Sequence, residues 1–176
     1  MVRFRSTIYL ARRAILRDRC AMTAAKSPQE FYSQHGEDYL LFTLFRQHTD
    51  GFYVDIGAFD GVHISNTCVF DRLGWHGICV EAHPEYFSIL ERNRPGATCV
   101  HAACVGLGQP SVVGFHAEKL GLLSGLQADQ TPNMERRYAA RGLTFQGFDT
   151  IDVPALTLNQ VWIATQASGG LSKSCH

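Results

Sequence analysis

What this sequence lacks narrows it quickly. Its 16 Lys and Arg balance its 16 Asp and Glu, so the formal net charge is zero. A chain without a basic surplus is not a whole-surface electrostatic binder of nucleic acid. It has no apolar run of roughly 18 residues, which leaves no expected transmembrane helix. It has no C-x-x-C, no H-E-x-x-H and no Cys/His pairs at zinc-finger spacing, so no metal site is expected. It also has no G-x-G-x-x-G and no internal repeat. With 45% hydrophobic and 18% charged residues and a mean hydropathy of -0.08, it is neither disordered nor fibrous. Its 176 residues fit one domain.

The neutral total hides an asymmetry. Arg3, Arg5, Arg12, Arg13, Arg17 and Arg19 crowd the first twenty residues against Asp18 alone. Phe4, Ile8, Ala11 and Ile15 fall at near-helical spacing, which reads as a basic amphipathic helix or a solvated leader. Arg12, Arg13 and Arg17 interrupt any secretory apolar core. The cysteines are Cys20, Cys68, Cys79, Cys99, Cys104 and Cys175. Several sit in apolar runs, which predicts reduced thiols packed as small hydrophobes and a cytoplasmic location.

The chain reads as three parts: a basic segment and linker over 1–31, a folded domain over 32–165, and a polar tail over 166–176. Ser27-Pro28-Gln29-Glu30 reads as a helix start, with a second helical pattern through Tyr39–Phe45. Residues 52–57, 77–81 and 97–101 read as buried strands, with helices over 63–73 and 83–93 between them. That is a βαβαβ unit, hence α/β with a parallel sheet. Residues 111–116 and 150–155 read as two further strands added antiparallel at the sheet edge. A last helix starts near Leu156.

The chemistry centres on Val54-Asp55-Ile56-Gly57-Ala58-Phe59-Asp60-Gly61, a strand running into a glycine-bracketed turn. Open α/β sheets bind ligands at the carboxyl ends of their strands. Glu81 ends the next strand, at the offset where an acid can receive a ribose diol. A dinucleotide site wants bare glycine backbone for its pyrophosphate. Here Phe59 occupies the middle of a G-x-x-x-G, and Asp55 and Asp60 add negative charge that repels phosphate. The same carboxylates suit a ligand carrying an ammonium and a sulfonium, as S-adenosylmethionine (SAM) does. An NAD or nucleotide-sugar enzyme is disfavoured on the same grounds.

Ser33-Gln34-His35-Gly36-Glu37-Asp38, Gly51 to Ala58, Ser65-Asn66-Thr67, Gly74-Trp75-His76-Gly77 and Val80-Glu81-Ala82 together resemble the FkbM-type SAM-dependent methyltransferases. The resemblance spans roughly residues 32–161. It implies a Rossmann-like methyltransferase sheet, with S-adenosyl-L-methionine as cofactor and methylation of a hydroxyl on a sugar or small-molecule acceptor. It also implies cofactor-binding roles for Gln34, Asp55, Gly57, Ala58, Gly61, Glu81 and Ala102. Asp55 and Gly57 would hold the methionyl end and Glu81 the ribose, with His101-Ala102-Ala103 near the adenine. Gln34 and Glu37 would fold over the site. A hydroxyl acceptor profits from a base, for which His35 and His63 are the histidine candidates and Glu37 the carboxylate alternative. The family's later D-x-E-G-type strand is not recognisable after Leu158, so the sheet is expected to lack its C-terminal strands. The competing reading is a non-catalytic SAM-binding or Rossmann-like remnant that associates through an exposed sheet edge.

Overall fold

The computed structural model describes residues 30–118, 124–126, 134–140, 142–145 and 147–167. The basic N-terminal segment, the Ser27-Pro28 start, Cys20, Cys175 and the polar tail beyond Ala167 lie outside the described residues. Glu30–Ser33 is not helical. The first helix is α1, Glu37–Phe45. Asp38 is fully buried at its start, where its carboxylate accepts the Ser33 and Tyr39 amides at 3.1 and 2.8 Å. Glu37 and Asp38 also place negative charge at the helix N-terminus, which the backbone dipole favours. Leu41, Phe42 and Phe45 pack inward, while Tyr39, Leu40 and Leu44 stay exposed.

A parallel βαβαβ unit follows. Strand β1 (Phe52–Ile56) leads to helix α2 (Cys68–Arg72) and β2 (His76–Glu81). Helix α3 (Pro84–Asn93) then leads to β3 (Thr98–His101). The strands lie in the order β1-β2-β3, with Asp55 beside Cys79 and Glu81 beside His101. The pleat sorts side chains by face. Val54, Ile78 and Val80 pack with Ala102 and with Val161 of the last helix. Tyr53 and Cys79 pack on the other face with Val69, Phe70 and Leu90 of α2 and α3. Gly77 is a packing requirement: a Cβ there would lie 2.1 Å from the Tyr53 ring.

The second sheet is mixed, with strands β4 (Ala103–Cys104), β5 (Val112–Glu118), β6 (Gly125–Leu126) and β7 (Phe148–Leu156). Their order is β4-β7-β5-β6, and a short helix α4 (Met134–Ala139) precedes β7. Strands β5 and β7 pair antiparallel from Val112–Pro154 to Glu118–Phe148. The expected antiparallel addition is present, but as a four-stranded sheet beside the three-stranded one. It meets the parallel unit where Ala82 packs with Ala103, Phe115, Ala117 and Val153. Helix α5 (Leu158–Ala167) closes the described chain.

The helix expected over 63–73 is shorter, Cys68–Arg72. Side chains take the amides that would have started it. Asp60 accepts the Val62 and His63 amides at 2.9 and 2.8 Å, and Ser65 accepts those of Thr67 and Cys68 at 3.2 and 3.1 Å. Such local bonds compete with helix, and Ile64 adopts φ +51°. Among the described residues, Cys68, Cys79, Cys99 and Cys104 are free thiols. Burial pushes all four thiols up from their ordinary pKa, Cys99 to about 11.

Candidate active site

Strand β2 ends on Glu81 and its parallel neighbour β1 carries Asp55 one residue before its end, and Glu81 accepts hydrogen bonds from the loops that follow both strands. Gly57 and Ala58 donate their amides to the Val80 carbonyl at 2.9 and 3.0 Å, folding the β1–α2 loop back over β2. Gly57 takes φ +75°, which glycine adopts without penalty, and is exposed. The space a Cβ would occupy there is open, with no atom within 4 Å. Phe59 takes φ +55° and is held by its amide and its ring. The amide donates to Glu81 Oε2 at 2.8 Å and the ring lies 4.1 Å from that of Tyr86.

Glu81 is 8% exposed and accepts from both loops. Its Oε1 takes the His83 amide at 2.7 Å while Oε2 takes that of Phe59. Burial raises its pKa, and the backbone donors partly oppose the rise. Asp55 is 2% exposed and accepts the Thr67 hydroxyl at 2.6 Å. Desolvation raises its pKa too, against the Thr67 hydrogen bond and the nearby Arg94 charge.

Six of the loop's amides are spent. Those of Gly57, Ala58, Phe59, Gly61, Val62 and His63 all donate within the protein. A pyrophosphate cradle needs such amides free. This arrangement offers instead buried carboxylates beside an open glycine, a donor set that fits a cationic, phosphate-free ligand.

The remaining sequence-predicted residues scatter around this centre. Gly61, at φ +80°, faces α3: a Cβ would stand 2.7 Å from Leu90 Cδ1 and 2.8 Å from Arg94 Cγ. Ala102 is buried in the apolar face with Val54 and Val80, and its amide donates to the Glu81 carbonyl at 3.2 Å. His101 stacks on Phe87 at 4.8 Å, with Nε2 3.1 Å from the Ala82 carbonyl. Gln34 and His35 are exposed in the segment before α1. Glu37 accepts the His35 amide at 2.9 Å, and backbone hydrogen bonds hold its carboxyl below the usual carboxylate range. No hydrogen bond among the described residues joins Gln34, His35 or Glu37 to Asp55 or Glu81. His63 is tied to Asp60 through its ring nitrogen, on an exposed side chain.

One central residue escaped the sequence reading. Arg94 ends α3 and is completely buried. Its guanidinium donates to the Gly61 carbonyl, to Ser65 Oγ at 2.9 Å and to Thr67 Oγ1 at 3.0 Å, and lies 3.6 Å from Asp71 Oδ1. In sequence it looks like an ordinary cation at a helix C-terminus before Pro95, and nothing in the spacing marks it as buried. His83 is likewise buried, and desolvation lowers its pKa.

A parallel βαβαβ core with an acid at or beside the tip of two adjacent strands defines an α/β protein, and open α/β sheets bind ligands at the carboxyl ends of their strands. Residues 55–169 match the methyltransferase FkbM domain, and the chain belongs to that family. No curated protein and no solved structure matches the chain.

Proposed function

We propose that this methyltransferase is SAM-dependent and methylates a hydroxyl group of a sugar or other small molecule. The observation that carries the reading is the β1–α2 loop: six of its amides donate within the protein, Gly57 is open, and Asp55 and Glu81 lie buried at its base. The fold is taken as the Rossmann-like methyltransferase type. Asp55 receives the ammonium of the methionyl end, and Gly57 and Ala58 give it backbone room. Glu81, already fixed by two amides, uses its remaining lone pairs for the ribose hydroxyls. The backbone at His101 and Ala102 borders the adenine, and Gly61 fixes the loop against α3. Gln34, His35 and Glu37 belong to the segment that covers the site.

SAM supplies a methyl group already activated on a sulfonium, so the chain's tasks are to orient the acceptor and to exclude water. His35 is the better candidate for proton acceptance, because Glu37 is held as a weakly basic anion. The test is transfer of labelled methyl from SAM to a panel of sugars and small hydroxyl compounds. Labelled product that disappears in Asp55→Ala and Glu81→Ala supports the reading. Cofactor binding without transfer to any hydroxyl compound favours a non-catalytic binding module.

A further inference from the structure

We propose that Arg94 is a positioning residue of the cofactor site, acting through Thr67 to hold Asp55 as an anion. The inference rests on the reading of Asp55 as the partner of the cofactor's ammonium. Its geometry is a relay of hydrogen bonds between three elements. Arg94 at the end of α3 donates to Thr67 Oγ1 at 3.0 Å, and Thr67 at the entry of α2 donates to Asp55 Oδ2 at 2.6 Å at the end of β1. All three residues are buried, with Arg94 and Thr67 at 0% exposure. The same guanidinium bonds the Gly61 carbonyl and Ser65 Oγ, so one side chain ties the middle and the far end of the β1–α2 loop to the end of α3.

The electrostatic need for such a relay is direct. A carboxylate removed from water loses solvation and drifts toward its neutral acid, which cannot pair with an ammonium. Around Asp55, Glu81 is a second buried carboxyl and Cys79 a buried thiol, and the Asp55 charge helps to push both upward. Asp71 sits beyond Arg94 and shares its charge. The Arg94 charge and the Thr67 hydroxyl are the favourable influences opposing desolvation. An arginine suits the position because it stays protonated when buried and its fork reaches several acceptors at once.

The test is a titration of the Asp55 carboxyl carbon by NMR in the ligand-free full chain, in wild type, Thr67→Val and Arg94→Met. The midpoint is expected to rise by about one pH unit or more in both variants, as loss of an opposite charge or a donor requires. Thr67→Val leaves the Arg94 bonds to Gly61 and Ser65 in place, so it decides the matter if Arg94→Met does not fold. S-adenosylhomocysteine titrated by calorimetry gives the second readout. At pH below the Asp55 midpoints, a one-unit rise should weaken binding about tenfold, with affinity recovering toward wild type as rising pH restores the anion. Unchanged Asp55 midpoints in both variants overturn the relay, as does a loss of affinity equal at every pH. A wild-type chain that shows the predicted Asp55 titration but binds no S-adenosylhomocysteine overturns the cofactor reading and leaves the relay standing.

Discussion

Asp55 is a carboxyl buried away from water. Burial raises its pKa, so the folded chain holds that proton more tightly than the unfolded chain does. For a raised carboxyl the associated stabilisation is complete below the ordinary carboxylate value and is lost as pH rises through the folded value. Glu81 adds the same sign. Asp55→Asn keeps an oxygen for the Thr67 hydroxyl and removes the buried charge. Melting of this variant at neutral pH should therefore match or exceed wild type, by up to roughly 1–2 kcal/mol, while ligand affinity is lost. The pair of melts at mildly acidic and neutral pH should differ less in Asp55→Asn than in wild type. A variant that melts earlier at neutral pH would contradict this electrostatic reading.

Two glycines in the same loop separate packing from binding. Gly61 meets Leu90 and Arg94 within 3 Å of a virtual Cβ, whereas Gly57 meets nothing. Both take positive φ. Gly61→Ala should cost about 2–4 kcal/mol, from backbone conformation plus overpacking. Gly57→Ala should cost only about 1 kcal/mol, from conformation alone, yet lower ligand affinity more than stability. Chemical denaturation alongside calorimetry checks both, and equal stability losses would refute the distinction.

At the scale of elements, the strongest packing prediction concerns the underside of the loop. Leu90 of α3 is fully buried beneath Gly61 and beside Val69 and Phe70. Leu90→Ala should cost roughly 2–5 kcal/mol in denaturant unfolding. It should also weaken ligand binding, because the loop rests on that side chain.

The parallel unit was legible because buried strands leave a plain mark. Residues 52–56, 76–81 and 98–101 are short apolar runs bounded by glycine or turn residues, and they were placed to within a residue or so. Helix α3 was legible from Pro84 and from the spacing of Tyr86, Phe87 and Leu90. Helix α2 is shorter than its apolar spacing suggests, because that spacing does not register how Asp60 and Ser65 capture backbone amides. The separate second sheet was not legible either, since strand pairing between β4, β5 and β7 depends on long-range geometry. Of the site, the two acids at the strand tips stood out from their position alone. Arg94 did not, because a buried and a solvated arginine look alike in one sequence.

At the scale of the whole molecule, the two sheets meet next to Glu81, at Ala82. The parallel unit supplies Asp55 and Glu81, while the mixed sheet packs through Ala103, Phe115, Ala117 and Val153 against Ala82, beside His83. No helix among the described residues is long and apolar enough to cross a membrane. Family membership makes the chain a methyltransferase, and the cofactor proposed for it is cationic and carries no phosphate. Calorimetric titration of the folded chain with SAM and S-adenosylhomocysteine, run beside NAD, tests that claim most directly. The account predicts saturable binding of both adenosyl sulfur compounds, abolished in Asp55→Ala and Glu81→Ala, and no binding of NAD. A folded wild-type chain that binds NAD, or that binds neither SAM nor S-adenosylhomocysteine, would contradict it.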